Sequence, residues 1–284
     1  MYDVAIVGAG PAGLSAALNL QLHNKSILWF GSPELSQKVE KSEKIANYPG
    51  LPLISGVDLN QRFHDQLVES GLEITDKMVT SISATRKGFM ILGDNDVYEA
   101  KSVLLATGTI AAKPLPKEEE LLGRGLSYCA TCDGFLYRGK IIGVHCGAKR
   151  YEHEVAYLAE LAEKVYLTVA YPDCELSLDN VELLESPIKE LVGETKVSGI
   201  KLQNGDIKEI DGLFLLRSSV APTALLKGIE MEGPHLVVNR RQETSQNGVF
   251  AAGDCTGRPY QIAKAIGEGN VAAHSILEYL ANEE

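Results

Sequence analysis

The stretch D-V-A-I-V-G-A-G-P-A-G, residues 3–13, decides the fold of this chain. Its apolar part, Asp3 to Val7, is followed by a glycine-rich turn and then by the helical pattern of residues 14–22. This order predicts a buried strand, a tight turn and a helix. A second apolar strand, Ser26 to Phe30, completes a βαβ unit, whose natural architecture is a parallel sheet.

The glycines of this turn follow the pattern of a dinucleotide-binding site. Gly8 allows the tight turn, Gly10 lets the backbone approach a pyrophosphate, and Gly13 lets the helix pack closely on the strand. Pro11 and Ala12 stand between Gly10 and Gly13, just before a helix whose N-terminal N–H groups and dipole favour phosphates. The pattern therefore predicts a bound dinucleotide.

Two further features bear on which dinucleotide binds. The acidic residue that would hold an adenosine ribose is expected after the second strand, where Phe30-Gly31-Ser32 stands and Glu34 comes slightly late. The ribose contact is therefore unassigned. Gly253 and Asp254 follow an apolar strand and precede a helix, so the aspartate can meet a ribityl hydroxyl. This favours FAD over NAD.

The overall composition is that of a globular protein. The chain has 284 residues, enough for two domains, of which 45% are hydrophobic and 23% are charged. Its net charge of −11 argues against nucleic acid as a partner. No stretch approaches the roughly 18 to 20 apolar residues that span a bilayer, and no basic leader follows Met1. We therefore expect a cytoplasmic protein without membrane association.

Cysteine spacing gives the strongest local signal, in the segment Cys129-Ala-Thr-Cys132-Asp133-Gly134. In a helical turn such positions lie about 5 to 6 Å apart, which matches disulfide geometry, so the pair can open and close with little backbone motion. A helix N-terminus would lower the pKa of a thiol there. Asp133 is a candidate proton donor or acceptor. The segment predicts a redox-active, catalytic disulfide.

No metal site is expected. Zinc normally takes paired ligand spacings, and the sequence has no second Cys-x-x-Cys and no His pair at such spacing. The remaining three of the five cysteines, Cys146, Cys174 and Cys255, are isolated and are interpreted as free thiols.

The domain organisation is predicted to be that of one domain inserted into another. A buried strand ending in Ala106-Thr107-Gly108 precedes a linker-like stretch, Ala111 to Pro116, and a return linker follows at residues 218–222. Between them lies a second βαβ pattern, with strand Lys140 to His145, helix Glu152 to Glu163 and strand Lys164 to Val169. The predicted domains are 1–111 with 220–284, and 112–219.

Taken in this order, the glycine turn, the Cys129 to Gly134 segment and Gly253-Asp254 closely resemble the low-molecular-weight thioredoxin reductases. The resemblance covers essentially the whole chain. It implies an α/β fold of two Rossmann-like domains of the three-layer ββα type, with an FAD domain split by the smaller inserted domain. It also implies a homodimer, in which Cys132 faces the flavin and Cys129 exchanges with thioredoxin. The residues matched to FAD contacts are Gly8, Gly10, Pro11, Ala12, Gly13, Asn47, Ala106, Thr107, Gly108, Gly253, Asp254, Gln261 and Ile262.

The inserted domain departs from this family where NADPH should bind. At the three glycine positions of its own dinucleotide pattern stand Cys146, Ala148 and Tyr151. The following strand ends in Val169-Ala-Tyr-Pro-Asp173, without the arginine that would meet the NADPH 2′-phosphate. A tyrosine at the third position would fill the pyrophosphate site or push the helix from the strand. We therefore predict that NADPH is not the electron donor.

The branch that the chain resembles most is the ferredoxin-dependent flavin thioredoxin reductases, which keep the cysteine pair but lack NADPH motifs. Ferredoxin is the predicted donor and thioredoxin the predicted acceptor. Three alternatives remain open: a dithiol oxidase using oxygen, a reductase with an atypically bound pyridine nucleotide, and an inactive flavin scaffold. A local cluster of basic residues is a candidate docking patch for an acidic ferredoxin. Its members are Arg124, Arg138, Lys140, Lys149 and Arg150.

Overall fold

The computed structural model describes residues 1–94, 96–108, 115–128, 130–217 and 222–283, except for the side chains of Glu119, Cys132 and Glu283. The chain divides into two compact units, Met1–Ile110 with Pro222–Glu284, and Ala111–Ala221. The predicted domain limits at 111, 112, 219 and 220 all fall on residues outside the described ones. These limits therefore stay a prediction.

Secondary structure follows the two predicted βαβ patterns. In chain order the strands are β1 (Tyr2–Val7), β2 (Ile27–Phe30), β3 (Val79–Thr85), β4 (Gly88–Gly93), β5 (Asp96–Leu105), β6 (Leu126–Ser127), β7 (Ile141–Cys146), β8 (Lys164–Val169), β9 (Val181–Leu183), β10 (Ile188–Val192), β11 (Gly199–Leu202), β12 (Ile207–Glu209), β13 (Gly212–Leu216), β14 (Met231–Glu232), β15 (His235–Leu236) and β16 (Val249–Ala251). The helices are α1 (Pro11–Leu22), α2 (Gln37–Glu40), α3 (Gly56–Ser70), α4 (Glu118–Leu121), α5 (Ala130–Asp133), α6 (Glu152–Leu161), α7 (Pro222–Leu225) and α8 (Ile262–Glu283).

The first unit is built on a sheet of order β2-β1-β5-β4-β3, to which β16 adds by pairing with β5. Strands β1, β2 and β16 run parallel to their neighbours, whereas β3, β4 and the first half of β5 are antiparallel. Val4, Ala5 and Ile6 are fully buried. A strand covered on both faces needs a continuous apolar run, which explains the sequence of β1.

The second unit has three layers. Its parallel sheet has the order β6-β13-β7-β8-β9, and a separate antiparallel sheet has the order β10-β11-β12. Val144 of β7 shares a buried cluster with Val155 and Leu158 of α6, whereas a side chain at Gly143 would meet Ile200 of β11. Neighbouring residues of β7 thus face the helix and the second sheet in turn. The predicted α/β fold class with a ββα domain is confirmed.

Helices α1 and α8 lie together against the first sheet, in one buried cluster with residues of β1 and β5. Close approach is possible because Gly269 presents no side chain to α1, where a Cβ would lie 2.2 Å from the Ala12 carbonyl oxygen. The Ser15 hydroxyl donates a 2.8 Å hydrogen bond to the Ile266 carbonyl across the same contact. No helix of the described part of the chain is long and apolar enough to cross a membrane.

This contact gives a stability prediction with an internal control. Gly269→Ala should destabilise the protein by about 2 kcal/mol, because the added methyl group forces two backbones apart. Gly267→Ala lies one half-turn away in the same helix, and nothing lies within 4 Å of its added Cβ. We expect it to stabilise by up to about 1 kcal/mol, the helix propensity gained over glycine. Denaturant unfolding of both variants measures the difference, and equal effects would contradict the packing argument.

Candidate functional site

The glycine turn after β1 depends on two close backbone approaches. Gly8 has φ +118°, and a Cβ there would lie 2.2 Å from the Ala106 carbonyl oxygen. A Cβ at Gly13 would lie 2.0 Å from the Gly8 carbonyl oxygen. Any side chain at either position would collide with main-chain atoms, so these glycines are needed for the fold of the turn itself.

Gly10 differs from Gly8 and Gly13, because the position that a side chain would take faces open space. It caps the N-terminus of α1 with φ −78° and without a side-chain cap, Pro11 follows in the first turn, and a Cβ at Gly10 would have nothing within 4 Å. The first N–H groups of α1 have no partner inside the helix, and they attract anions. The turn thus has the space and the donors that a dinucleotide pyrophosphate requires.

Five of the other predicted cofactor residues follow the ends of parallel strands at the same edge of this sheet. Ala106 donates from its N–H to the Val7 carbonyl, at 2.8 Å, and Thr107 and Gly108 continue from there. Ala252 donates to the Leu105 carbonyl, at 3.0 Å, directly before Gly253 and Asp254. Ligands of parallel α/β sheets bind outside the carboxyl ends of the strands. These five residues therefore lie along one edge of the sheet.

Asp254 and its neighbours form contacts that the sequence does not reveal. The Asp254 carboxylate pairs with the Lys38 ammonium at 2.5 Å, and the Asn47 amide donates to the Gln261 amide oxygen at 2.5 Å. Asn47 and Gln261, both predicted cofactor residues, are thus brought together. Ile262 begins α8 directly after Gln261. Lys38 was missed because α2 lies far from Asp254 in the sequence.

Two residues of α8 shape the loop that carries Gly253. The Glu268 carboxylate accepts from the Gly253 N–H at 2.8 Å, and the Lys264 ammonium donates to the Gly253 and Gly257 carbonyls, both at 2.8 Å. Lys264 and Glu268 also pair with each other at 3.1 Å. Their i,i+4 spacing on a helix was the sequence signal that could have found them.

The residues after the second strand place an acidic group near the expected ribose position. The Ser32 hydroxyl donates to the Glu34 carboxylate. The Asn60 amide holds the Glu34 carbonyl at 2.9 Å, and its oxygen accepts from the Ser36 N–H at 3.3 Å. Glu34, although slightly late in sequence, is therefore fixed close to the end of β2.

The redox segment is described only in part. Cys129 lies outside the described residues, and Cys132 is placed by its backbone within α5. Asp133, the last residue of α5, accepts a 2.6 Å hydrogen bond from the Ser127 hydroxyl, which links it to the end of β6. The pairing of Cys129 with Cys132 and the proton-transfer role of Asp133 stay predictions.

In the second unit, side chains of the altered dinucleotide pattern are buried in the turn where a nucleotide would bind. Cys146 and Tyr151 are buried, and the Cys146 thiol donates to the Ala148 carbonyl at 3.3 Å. Burial raises the pKa of the Cys146 thiol. A turn of 3-10 helix, Lys149–Tyr151, leads into α6, which begins at Glu152 as expected and ends at Leu161, two residues before the expected end at Glu163.

A carboxylate lies at the start of the helix that follows the altered dinucleotide pattern. Glu152 lies in the first turn of α6, and its carboxylate is held by the Tyr171 hydroxyl at 2.8 Å. Burial, then the hydrogen bond to Glu152, raises the pKa of Tyr171, so this hydroxyl stays protonated as a donor. The helix dipole there is already compensated by the protein's own carboxylate.

Two basic side chains, His145 and Arg217, lie at the ends of β7 and β13. His145, near the end of β7, contacts the Thr168 hydroxyl at 3.1 Å, and burial together with the nearby Arg217 cation lowers the pKa of His145 to about 4. Arg217 follows β13 and is itself 12% exposed. In the sheet order, β8 lies on one side of β7 and β13 on the other. The strand order therefore reverses between β7 and β13, which is the position where a parallel sheet binds its ligand.

The five basic residues of the predicted docking patch do not form one patch. Arg138 and Lys140 precede β7, whereas Lys149 and Arg150 follow it. A strand of this length separates its ends by about 20 Å. Arg124 precedes β6, which runs parallel to β13 and β7, and so belongs to the first edge. The single-patch prediction is wrong because residues close in sequence lie at opposite edges of the sheet.

Metal binding has no support in the described residues. No group of three or more His, Cys, Asp or Glu side chains among them could hold a metal ion. Cys146, Cys174 and Cys255 are free thiols, and burial raises the pKa of Cys255 to about 11. Such a buried neutral thiol is a packing residue.

Comparison with known proteins gives a consistent result. The model of the family described as pyridine nucleotide-disulphide oxidoreductase matches residues 2–269. A thioredoxin reductase of Mycoplasma pneumoniae is 33% identical, with 99% of this chain and 96% of the relative covered. A crystal structure of a ferredoxin-flavin thioredoxin reductase from Clostridium acetobutylicum is 40% identical, with a TM-score of 0.92 and coverage of 99% and 98%.

Proposed function

Since the chain belongs to the pyridine nucleotide-disulphide oxidoreductase family and, within it, to the thioredoxin reductases, we propose that it takes electrons from reduced ferredoxin and delivers them, through FAD and the Cys129 and Cys132 pair, to thioredoxin. The observation that carries this proposal is the closed nucleotide site of the second unit. There Tyr151 is buried and Glu152 occupies the first turn of α6.

The closed site argues against NADPH on two physical grounds. A pyrophosphate would meet the Glu152 carboxylate instead of free N–H donors, and like charges at close range repel by several kcal/mol. The space that a third glycine would leave is occupied by a buried tyrosine ring. A protein donor that carries its own redox centre needs neither free N–H donors nor space for a pyrophosphate in this unit. The related Clostridium acetobutylicum protein, described as a ferredoxin-flavin thioredoxin reductase, supports ferredoxin in this role.

Flavin binding is assigned to the first unit. Gly10, Pro11 and the start of α1 would hold the pyrophosphate of FAD. Asp254, together with the Asn47 and Gln261 pair, would hold its ribityl chain and ring. Glu34 would hold the adenosine ribose. The open space at Gly10 supports this fit. When bound, FAD supplies a redox group that accepts electrons singly and releases them in pairs.

The cysteine pair then performs disulfide exchange, with electrons and protons balanced. Two electrons and two protons convert the Cys129 and Cys132 disulfide into two thiols. The Cys129 thiolate attacks one sulfur of the thioredoxin disulfide, which breaks that bond and leaves a mixed disulfide. The Cys132 thiolate then displaces thioredoxin as a dithiol and restores the intramolecular disulfide. Asp133 is proposed to exchange the proton. We further propose the homodimer that the resemblance implies.

One assay separates the proposal from its alternatives. Anaerobic thioredoxin reduction is measured with photoreduced ferredoxin, NADPH or NADH as donor, at matched electron supply. We expect turnover with ferredoxin and rates at least about 10³-fold lower with either nucleotide, because the nucleotide has no site for its pyrophosphate.

The contrary outcomes are equally specific. Nucleotide-driven turnover without ferredoxin would show an atypical pyridine nucleotide site. Oxygen consumption driven by small dithiols would show a dithiol oxidase. A matched control is the Glu152→Gln variant, which removes the carboxylate from α6 and leaves Tyr151 in place. It should not create NADPH activity, because the tyrosine still fills the site.

A further inference from the structure

One buried carboxylate joins three separate segments of the second unit. Glu118, at the start of α4, is 3% exposed. One of its oxygens accepts from the Arg217 guanidinium at 3.0 Å and from the Tyr128 hydroxyl at 2.8 Å. The other oxygen accepts from the Leu115 N–H at 2.7 Å. These contacts satisfy the carboxylate and leave it no route to solvent.

The positions of its partners in the chain are what make this carboxylate unusual. Leu115 is the first described residue after the chain enters the second unit, and Arg217 is the last described residue before it leaves. Tyr128 immediately precedes Cys129. Glu118 therefore ties Leu115 and Arg217, near the two ends of the second unit, to the residue that precedes Cys129.

Stability alone does not account for such a pair. Replacing a buried ion pair by apolar residues of similar volume is often neutral or stabilising, because both charges lose their hydration. The backbone also enters Glu118 through Lys117 at φ +66°, a left-handed conformation that is unfavourable for a residue with a side chain. Strain of this kind persists where surrounding contacts fix a geometry that function uses.

We propose that Glu118 is a positioning residue for disulfide exchange, which holds the segment before Cys129 in place through Tyr128 and ties it to Leu115 and Arg217. The inference rests on the proposed role of Cys129 and Cys132 but not on the identity of the electron donor.

Tyr128→Phe tests the link with little risk to the fold, because it removes one hydroxyl and leaves the Glu118 and Arg217 pair intact. Enzyme is photoreduced anaerobically without any protein donor and then mixed with oxidised thioredoxin. We expect the single-turnover rate constant for thioredoxin reduction at saturating thioredoxin to fall about tenfold, equivalent to about 1.4 kcal/mol, with the half-saturating thioredoxin concentration and the unfolding midpoint unchanged. The matched control is Tyr166→Phe, on the surface of β8, which should leave all three unchanged.

A double variant shows whether Tyr128 acts through the carboxylate. If it does, Tyr128→Phe should have almost no further effect on the single-turnover rate constant in the Glu118→Leu background, because the acceptor of the Tyr128 hydroxyl is already removed. The proposal is overturned by a rate constant of Tyr128→Phe within twofold of the wild type, or by an undiminished effect in the double variant. Because the enzyme is loaded photochemically, the result stands whether or not ferredoxin proves to be the donor.

Discussion

Cys132→Ser should lower thioredoxin reduction by at least about 10³-fold while electron entry from ferredoxin continues at the wild-type rate. The exchange needs two sulfurs, and a serine hydroxyl can neither form the disulfide nor resolve a mixed one. In the proposed mechanism, flavin reduction takes place in the other unit and does not require the pair. The two half-reactions are measured separately by stopped-flow absorbance of the flavin and by the thiol content of thioredoxin.

The same variant also separates the roles of the two cysteines. If Cys129 attacks thioredoxin, Cys132→Ser should accumulate a covalent mixed disulfide with thioredoxin, because the resolving thiol is missing, whereas Cys129→Ser should form none. The control is Cys174→Ser, a half-buried free thiol in the same unit, which should keep full activity. A mixed disulfide found only with Cys129→Ser would reverse the assignment, and loss of activity in the control would place the exchange elsewhere.

The regular elements were predictable wherever a local pattern determines them. The strand expected over 164–169 occupies those residues, between two parallel neighbours, because Val165 and Leu167 are buried at alternating positions. Helix α1 begins at Pro11, three residues before the start expected at Leu14, because proline is well suited to the first position of a helix. The expected strand of 140–145 is shifted by one residue and ends at Cys146.

The side-chain contacts were not predictable, since they join residues distant in sequence. Lys38 meets Asp254 across 216 positions, and Glu118 meets Arg217 across 99. Neither pair has a local spacing that signals it. The basic cluster failed for the opposite reason, because β7 separates Lys140 from Lys149 although they are close in the chain. Pairwise electrostatics depends on the tertiary fold, whereas strands and helices are encoded in local periodicity.

The glycines of the first turn lead to the second large effect. Gly13→Ala should prevent folding of the first unit, because its Cβ would lie 2.0 Å from the Gly8 carbonyl oxygen and neither backbone can move without breaking the sheet edge. We expect a loss of more than about 4 kcal/mol, enough to unfold a protein of ordinary stability. Soluble yield and circular dichroism report this directly.

Gly10→Ala should have the contrasting effect of a folded protein that has lost its cofactor. The backbone of Gly10 is extended, at φ −78°, and its added methyl group meets no protein atom, so the apoprotein should unfold at the wild-type midpoint. The methyl group would instead occupy the space proposed for the pyrophosphate. Losing about two charge-assisted hydrogen bonds there costs about 3 to 4 kcal/mol, a drop in FAD affinity of roughly 10² to 10³-fold.

Flavin fluorescence titration of the apoproteins measures this loss, and the comparison of the two glycines decides its interpretation. If Gly10→Ala binds FAD as tightly as the wild type, the pyrophosphate does not lie at this turn. If Gly10→Ala unfolds like Gly13→Ala, the open space beside Gly10 has a structural rather than a ligand-binding role. A folded apoprotein with weak FAD binding agrees only with a turn in which Gly8 and Gly13 serve the fold and Gly10 serves the cofactor.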